Sequence, residues 1–591
     1  MSALDNVNSL KSAIKKAPIN AVILYGTDPH LSEYIPDHWQ VIKWLSGFTG
    51  SYAKMVVTQD KALLWTDSRY FIQAEDQLKN SGIILMRDRQ IDSISIENWL
   101  INELGSGDVV ALDGLTISAS EYSQLKSNFA ANGTSIVEEE GLLYSNWSKR
   151  PLVQYSEISS YPPSLSGKKR TAKLETIRQL LADRGAEATL ISALDELAWT
   201  FNLRGEMHNF SPLFAGYGYV DQKRAILFVP TGQISKSLAL ELVGDGVEVM
   251  AYETLFTFLS ANIPKSIYLD SSRINSKLMN LFLGNSFVVE GVSLIAKLKS
   301  VKNKVEISGM KAAHRRDGVA MVNFLHWLHC SLGKEKITEL SIAERLKYFR
   351  AQQDRFKGES FSSIVGFGPH GAIVHYNATQ DTDVEICKNG ILLIDSGGHY
   401  WDGTTDITRT IAIGKVTAKQ KKDFTLALKG MIGLANAVFP NGTKGHSLDI
   451  LARKSLWKEK LNYGHGTGHG VGHYLSVHEG PMSIRTEINN EPISPGQILS
   501  NEPGIYREAE YGIRIENIQL CVSAGENLGI SFNSFEILTF CPIDRILINK
   551  SLLNSDEVKW INSYHKKVYS ALKSSLKPDV SNWLKSKCTP L

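Results

Sequence analysis

Four acidic residues in the last half of this 591-residue chain sit inside strand-like stretches that are otherwise apolar or glycine-rich. "GILLID" (Gly390–Asp395) reads as a buried strand that ends on Asp395, and "DITRTIAI" (Asp406–Ile413) alternates like a second strand that begins on Asp406. The short glycine-containing segment between them turns the chain, so the two strands are expected to be antiparallel neighbours with Asp395 and Asp406 close together. "ILSNEPGIY" carries Glu502, with Pro503 and Gly504 ending its strand, and "YGIRIENIQLCV" carries Glu516. Alternation puts Arg514 and Glu516 on one face of that last segment and Ile513 and Ile515 on the other. Carboxylates buried side by side repel one another; they share a proton or they share cations.

Between these acids runs "YGHGTGHGVGHYLSVHEG" (Tyr463–Gly480), eighteen residues with four of the chain's 15 histidines and six glycines. One imidazole added to four carboxylates gives an oxygen-rich ligand set with a single nitrogen, suited to Mn²⁺ or Mg²⁺, with Zn²⁺ or Co²⁺ as alternatives. Four carboxylates exceed what one divalent ion needs for neutralisation; two ions about 3.5–4 Å apart would use them, and such a pair activates water and polarises a carbonyl or phosphoryl oxygen. Taken singly, each acid is more often a structural ion pair than a ligand, and a lone histidine on a glycine loop is usually bland. His465, His469 and His478 beside these acids weaken that reading.

The rest of the sequence narrows the class. Net charge is +3, from 64 basic and 61 acidic residues, which gives no reason to expect nucleic acid or an acidic membrane surface. Cys330, Cys387, Cys521, Cys541 and Cys588 are scattered and form no CxxC, so neither a disulfide framework nor a thiolate metal site is expected. No apolar run reaches the ~18 residues of a membrane span, and the N-terminal stretch lacks a continuous apolar core, which reads as cytoplasmic. Two αβ blocks are expected first. "AKMVVT" and "ALLWT" read as strands and "SRYFIQAEDQL" as a helix. "EISSYPPSLSGKK" (Glu157–Lys169) reads as a linker or loop, followed by the helix "AKLETIRQLLADRGA" and the strands "EATLISA" and "SIYLD". Long amphipathic helices then lead into a larger α+β domain with a helical tail. The expected boundaries are 1–157, 158–302 and 303–591, with a C-terminal helical extension from about 530.

These motifs resemble those of the pita-bread metallopeptidases, and within them the long, three-domain aminopeptidase P group. The strings that carry the likeness are "IVHYNA", "LIDSGGHYWDGTTDITRT", "GHGTGHGVGHYLSVHEGP", "LSNEPGIY" and "YGIRIEN", in that order. Upstream come "DHWQVIKWLSGFTGS", "LLWTDSRYFIQAE" and "ALDELAWTFNLRG", and downstream "FEILTFCPIDRILI". The likeness spans nearly the whole chain. It implies two creatinase-like αβ domains before a pita-bread catalytic domain. It implies Asp395, Asp406, His469, Glu502 and Glu516 as ligands of two divalent ions per subunit, with Asp406 and Glu516 bridging. Manganese is the first choice, and zinc or cobalt the alternatives. Glu502 matches the family's general base, and His375, His465 and His478 its catalytic and substrate-binding histidines. His473 receives no role.

The implied reaction is removal of an N-terminal residue when proline is second, by a metal-bridged water. The resemblance also implies a cytoplasmic homodimer contacting through the catalytic domain and its helical end, and Arg69, Trp199 and Arg204 as residues that shape the substrate entrance, Arg69 by binding substrate. From the sequence alone, Trp199 is equally ordinary core, Arg69 an ion-pair residue, and the amphipathic tail Asp556–Leu576 a helix packed on its own domain. Tyr52 and Lys54 depart from the family's small residues. Rival readings are a prolidase confined to Xaa-Pro dipeptides, a methionine aminopeptidase, a metal-free creatinase-like hydrolase, and a non-catalytic pita-bread peptide-binding protein.

Overall fold

A computed structural model describes residues 2–90, 92–207, 210–386 and 389–591. Cys387 lies outside the described residues; the other four cysteines are free thiols. The chain divides into two compact units, residues 1–162 with 168–295, and residues 163–167 with 296–591.

The first unit holds two six-stranded sheets. One comprises β1 (Ala21–Tyr25), β2 (Lys54–Thr58), β3 (Ala62–Thr66), β4 (Ile84–Arg87), β5 (Val109–Leu112) and β6 (Ser135–Glu138), in the order β4-β3-β2-β1-β5-β6. The other comprises β7 (Ala188–Ile191), β8 (Tyr217–Asp221), β9 (Ala225–Val229), β10 (Glu248–Ala251), β11 (Ser266–Leu269) and β12 (Phe287–Glu290), in the order β10-β9-β8-β7-β11-β12. The two orders are the same topology. In each, the first three strands form an antiparallel meander and the remaining pairs are parallel. Central strands such as β1 (AVILY) and β9 (AILFV) are buried at every residue, which is why they read as continuous apolar runs.

The strands expected at "AKMVVT", "ALLWT", "EATLISA" and "SIYLD" are present, and the helix expected after "GKK" runs Arg170–Asp183. The segment expected as a linker or loop is largely irregular, and it is anchored at several points. Ser159–Ser160 pairs with Leu203–Arg204, Tyr161 is buried under the Arg204 guanidinium, and Pro163–Ser166 forms a helical turn. Its prolines and serines limit regular structure without preventing packing.

The second unit opens with α1 (Lys304–Ser331), capped by Asn303 and Glu306 in a reciprocal box, and α2 (Glu339–Ala351). A three-stranded antiparallel sheet follows, β13 (Ile364–Phe367), β14 (Gly390–Ser396) and β15 (Ile407–Ile413), with β14 central. Helices α3 (Ala418–Ala435) and α4 (Gly445–Trp457) precede β16 (Gly468–Gly470), β17 (Glu479–Ile484) and β18 (Ile498–Asn501). The hairpin β19 (Gly504–Arg507) and β20 (Tyr511–Arg514) is followed by the long hairpin β21 (Asn517–Asn527) and β22 (Ile530–Ile537). Strands β22, β21, β18, β16 and β17 neighbour one another in that order. Helices α5 (Ser555–Leu572) and α6 (Pro578–Lys587) close the chain. Among the described residues no helix is long and apolar enough to cross a membrane.

The amphipathic tail puts its apolar face to use within the unit. Ile561, Tyr564, Val568 and Leu572 of α5 join the core formed with Phe424, Leu428, Met431, Ile513 and Ile515. Truncating Leu572 to alanine is therefore expected to cost about 2–5 kcal/mol. It should lower the denaturation midpoint of the second unit in a chemical unfolding experiment; an unchanged midpoint would show that this face is not core.

Candidate metal centre

Strand ends and one strand centre deliver five side chains to one place. Asp395 is the penultimate residue of β14, paired across the sheet with Thr408, and Asp406 immediately precedes β15. Glu502 follows β18, and Glu516 sits between β20 and β21, its amide donating to the Thr408 carbonyl at 3.1 Å. His469 is the middle residue of β16. Its Nε2 lies 3.5 Å from Asp406 Oδ2 and 3.6 Å from Glu502 Oε1. Among the described residues, Asp406, His469 and Glu516 are the one group of potential ligands whose ligating atoms all fall within 4.8 Å of one another. Asp395 Oδ2 lies 2.6 Å from Arg514 Nη2.

Backbone proximity explains the glycines that flank His469. A Cβ at Gly468 would stand 2.1 Å from the Ser500 carbonyl oxygen, and one at Gly470 2.4 Å from that of Glu479. Only glycine lets β16 pass between its neighbours. The His469 amide donates to Ser500 Oγ at 3.0 Å, and the Ser500 hydroxyl donates to Glu502 Oε1 at 3.1 Å. Nδ1 of His469 is 2.9 Å from the Gly470 carbonyl, so Nδ1 carries a proton and Nε2 is the ring nitrogen turned to the acids.

Electrostatics of the protein groups alone leave the cluster short of positive charge. Burial pushes Glu502 up to about 7; His469 and Arg514 oppose the rise, and the charges of Asp406 and Asp395 add to it. Burial likewise drives Glu516 well above the usual carboxylate range, with Asp406, Glu502 and Asp395 adding to it, and raises Asp395 against the pull of Arg514. Burial alone would depress the His469 imidazole, but Asp406 and Glu502 more than reverse this and lift it to about 9. Three oxygens, Asp395 Oδ1, Asp406 Oδ1 and Glu516 Oε1, are buried and accept no hydrogen bond. Orphaned carboxylate oxygens around an imidazole lone pair fit divalent cations, which satisfy the oxygens and neutralise the acids together.

The other histidines differ in how they are held. His478 packs edge-on against His469, with ring centroids 4.3 Å apart. His465 lies with Nδ1 2.7 Å from the Gly466 carbonyl and Nε2 2.7 Å from the Tyr506 hydroxyl. His375 follows Val374, whose carbonyl accepts from Arg514 Nη2 at 3.2 Å. His473 is buried, where α1 backs onto it at Gly309. Arg69 belongs to the first unit, its guanidinium held by both Asp67 oxygens at 2.8 and 2.9 Å. Trp199 and Arg204 are buried there too, Trp199 beneath Lys173 Nζ. In the same unit the Tyr52 hydroxyl donates to Asp88, and Lys54 pairs with Glu121.

Sequence reasoning gave no role to several residues that hold this site. Arg514 bonds Asp395, Tyr506, Val374 and Thr408. Arg453, buried and paired with Asp449 one helical turn away, donates to the carbonyls of Tyr463 and His465. An Asp–Arg pair at i,i+4 within the otherwise apolar face of "LDILARKSL" was the available signal.

Comparison with known proteins agrees with this geometry. The model described as Metallopeptidase family M24 matches residues 308–523, and its C-terminal region model matches 531–591. Two models of the Creatinase/Prolidase N-terminal domain match 7–144 and 149–306. A protein of Laccaria bicolor named Probable Xaa-Pro aminopeptidase P is 36% identical over 100% of this chain and 94% of its own length. The chain belongs to metallopeptidase family M24. A like-named M24 relative of Botryotinia fuckeliana is 37% identical over 100% of this chain and 93% of its own. Among solved structures, the X-prolyl aminopeptidase of Caenorhabditis elegans, described as a cytosolic enzyme with a dinuclear active site, superposes with a TM-score of 0.97 at 34% identity, covering 100% of both chains. The prolidase of Pyrococcus horikoshii shares the fold over 63% of this chain, at 22% identity and a TM-score of 0.50. The M24 architecture here is thus two creatinase-like αβ domains followed by a pita-bread catalytic domain with a helical end.

The pH dependence of the metal-free protein follows with its sign. Glu502 and His469 both have raised folded-state values, about 7 and about 9. Their stabilising contribution is present at low pH and is lost as pH rises through those values. The thermal midpoint of metal-stripped protein is expected to fall between pH 6 and pH 9. Added divalent cation should raise the midpoint more at pH 9 than at pH 6, and should release protons. A metal-free midpoint that climbs over this interval would contradict the assignment.

Proposed function

We propose that this chain is a metal-dependent aminopeptidase that hydrolyses the bond between an N-terminal residue and a following proline, using two divalent ions held by Asp395, Asp406, His469, Glu502 and Glu516. The observation that carries the reading is the meeting of three buried carboxylates and the half-buried Glu502 with one imidazole nitrogen, three of the oxygens accepting no hydrogen bond. The full-length relatives named Xaa-Pro aminopeptidase P support the substrate class. When bound, the ion pair supplies Lewis acidity to the scissile carbonyl and lowers the pKa of water.

The protein's own groups do the rest. An Xaa–Pro bond has no N–H for an enzyme to grip, and its ring fixes φ, so recognition falls to shape and to contacts with the carbonyl. Glu502 takes the proton of the attacking water, and the departing proline nitrogen is protonated by Glu502 or a neighbouring imidazole. His465 is wired to accept: Arg514 donates to the Tyr506 oxygen, leaving the Tyr506 hydroxyl proton for His465 Nε2. His375 and His478 stabilise the charge that grows on the carbonyl oxygen and hold the substrate.

Manganese as the resident metal rests on the oxygen-rich donor set. Cytoplasmic location and a homodimer rest on the family likeness, as do Arg69 as a substrate contact and the domain boundaries 1–157, 158–302 and 303–591. A dipeptide-restricted prolidase has less support, because the full-length likeness is to aminopeptidases. A non-catalytic peptide-binding protein would not need all five ligand positions filled.

Hydrolysis of a tripeptide Xaa-Pro-Xaa by metal-stripped protein, restored with Mn²⁺, Zn²⁺ or Co²⁺ in turn, tests the reading. Restored activity is expected, falling at least about 100-fold when alanine replaces the proline or when His469→Ala removes the imidazole. The His469→Ala protein should also bind fewer ions by metal analysis. Equal rates on the proline and alanine peptides would reject proline specificity. Two ions retained without His469 would reject that ligand.

A further inference from the structure

His375 lies in the long connection from β13 to β14, whose described residues contain only one short 3₁₀ turn, Gly368–Ala372. A loop this irregular holds a side chain in place only if something outside it does the holding. The anchor is Glu339, in the first turn of α2 and fully buried. One carboxylate collects donors from three points along the loop. Oε1 accepts from the Phe367 amide at 2.8 Å, His370 Nδ1 lies 3.0 Å from both oxygens, and the Tyr376 hydroxyl donates to Oε2 at 2.9 Å. The His370 ring stacks on Tyr376 with centroids 4.5 Å apart. The far part of the loop closes onto the same helix end. The Glu339 amide donates to the Val384 carbonyl, the Leu340 amide to Asp383 Oδ1, and the Ile386 amide to the Ile337 carbonyl.

The two residues that flank His375 are therefore fixed from opposite sides. Val374 is held through its carbonyl by Arg514, the residue that also holds Asp395; Tyr376 is held through its hydroxyl by Glu339. A buried carboxylate is a costly way to steady a loop, and apolar packing of the same volume is often as stable. What the carboxylate adds is direction, since three donors from residues 367, 370 and 376 can meet one planar group in one arrangement only.

We propose that Glu339 is a positioning residue that sets the placement of His375 in the catalytic site through Tyr376; this rests on the aminopeptidase reading above. The test is a double-mutant cycle on the metal-loaded enzyme with an Xaa-Pro-Xaa tripeptide, using Glu339→Gln, Tyr376→Phe, His375→Ala and the two double variants that contain His375→Ala. Glu339→Gln and Tyr376→Phe are each expected to lower kcat/KM about 10-fold or more with bound-metal content unchanged. In the His375→Ala background the same substitutions should cost less than about twofold, because the group they position is gone. An equal loss in both backgrounds would overturn the proposal, since it would mark a role in stability alone. So would a His375→Ala enzyme with wild-type kcat/KM. Should Glu339→Gln fail to fold, Tyr376→Phe completes the cycle. Failure of the aminopeptidase reading is separately visible, as a wild-type enzyme that leaves the tripeptide intact.

Discussion

Mutual repulsion among Asp395, Asp406, Glu502 and Glu516 is the constraint that the second unit is built around. Like charges in a low-dielectric interior push apart, and burial strengthens the push. The fold answers with rigidity: each acid sits at a strand end or between two strands, so separating them would mean breaking β-sheet ladders. Thr408 illustrates the economy of this arrangement. Its carbonyl accepts the Glu516 amide, its hydroxyl donates to Glu516 Oε2 at 2.9 Å, and its backbone pairs with Asp395. Arg514 is the protein's fixed counter-charge, buried and bonded to Asp395. One guanidinium and the His469 imidazole cannot balance four carboxylates, and divalent cations would supply the remainder.

Around this centre the supporting groups are themselves buried and charged. Arg409, on β15, spans the carbonyls of Glu516 and Cys541 and the hydroxyl of Tyr564, so the sheet that carries Asp406 is tied to α5. Glu479, next to His478, receives Lys299 and Lys302, all three almost without exposure. Such groups are poor sources of net stability but good sources of fixed geometry. A site whose ligands repel one another needs the second property more than the first.

The acids were legible in the sequence because their surroundings are apolar: "GILLID" and "DITRTIAI" gave both the strands and their antiparallel pairing. Tyr506 and Arg514 lay inside the same motifs, but nothing local says that a tyrosine hydroxyl will meet His465 forty-one positions away. The strand order shared by the two αβ domains of the first unit was not legible for a related reason. Strand order is decided by which apolar faces meet in three dimensions, and two segments can satisfy it with unrelated residues. In Glu157–Lys169 proline and serine forecast irregular backbone, which it has, but they could not tell that Tyr161 would be buried.

The glycine-histidine stretch shows how a short repeat can hold two imidazoles by the same nitrogen for different uses. In "GHGTGHG" each histidine is followed by glycine, and in both cases Nδ1 bonds the carbonyl of that glycine: His465 to Gly466 at 2.7 Å, His469 to Gly470 at 2.9 Å. The proton is thereby set on Nδ1 by the chain's own next residue, without help from the tertiary fold. In both rings Nε2 is left for the surroundings to use. What differs is what the fold brings to that nitrogen: carboxylates and the cations they imply at His469, a tyrosine hydroxyl at His465. His473 and His478 are followed by tyrosine and glutamate instead. The two histidines therefore share one backbone device, and the difference between them comes from their neighbours.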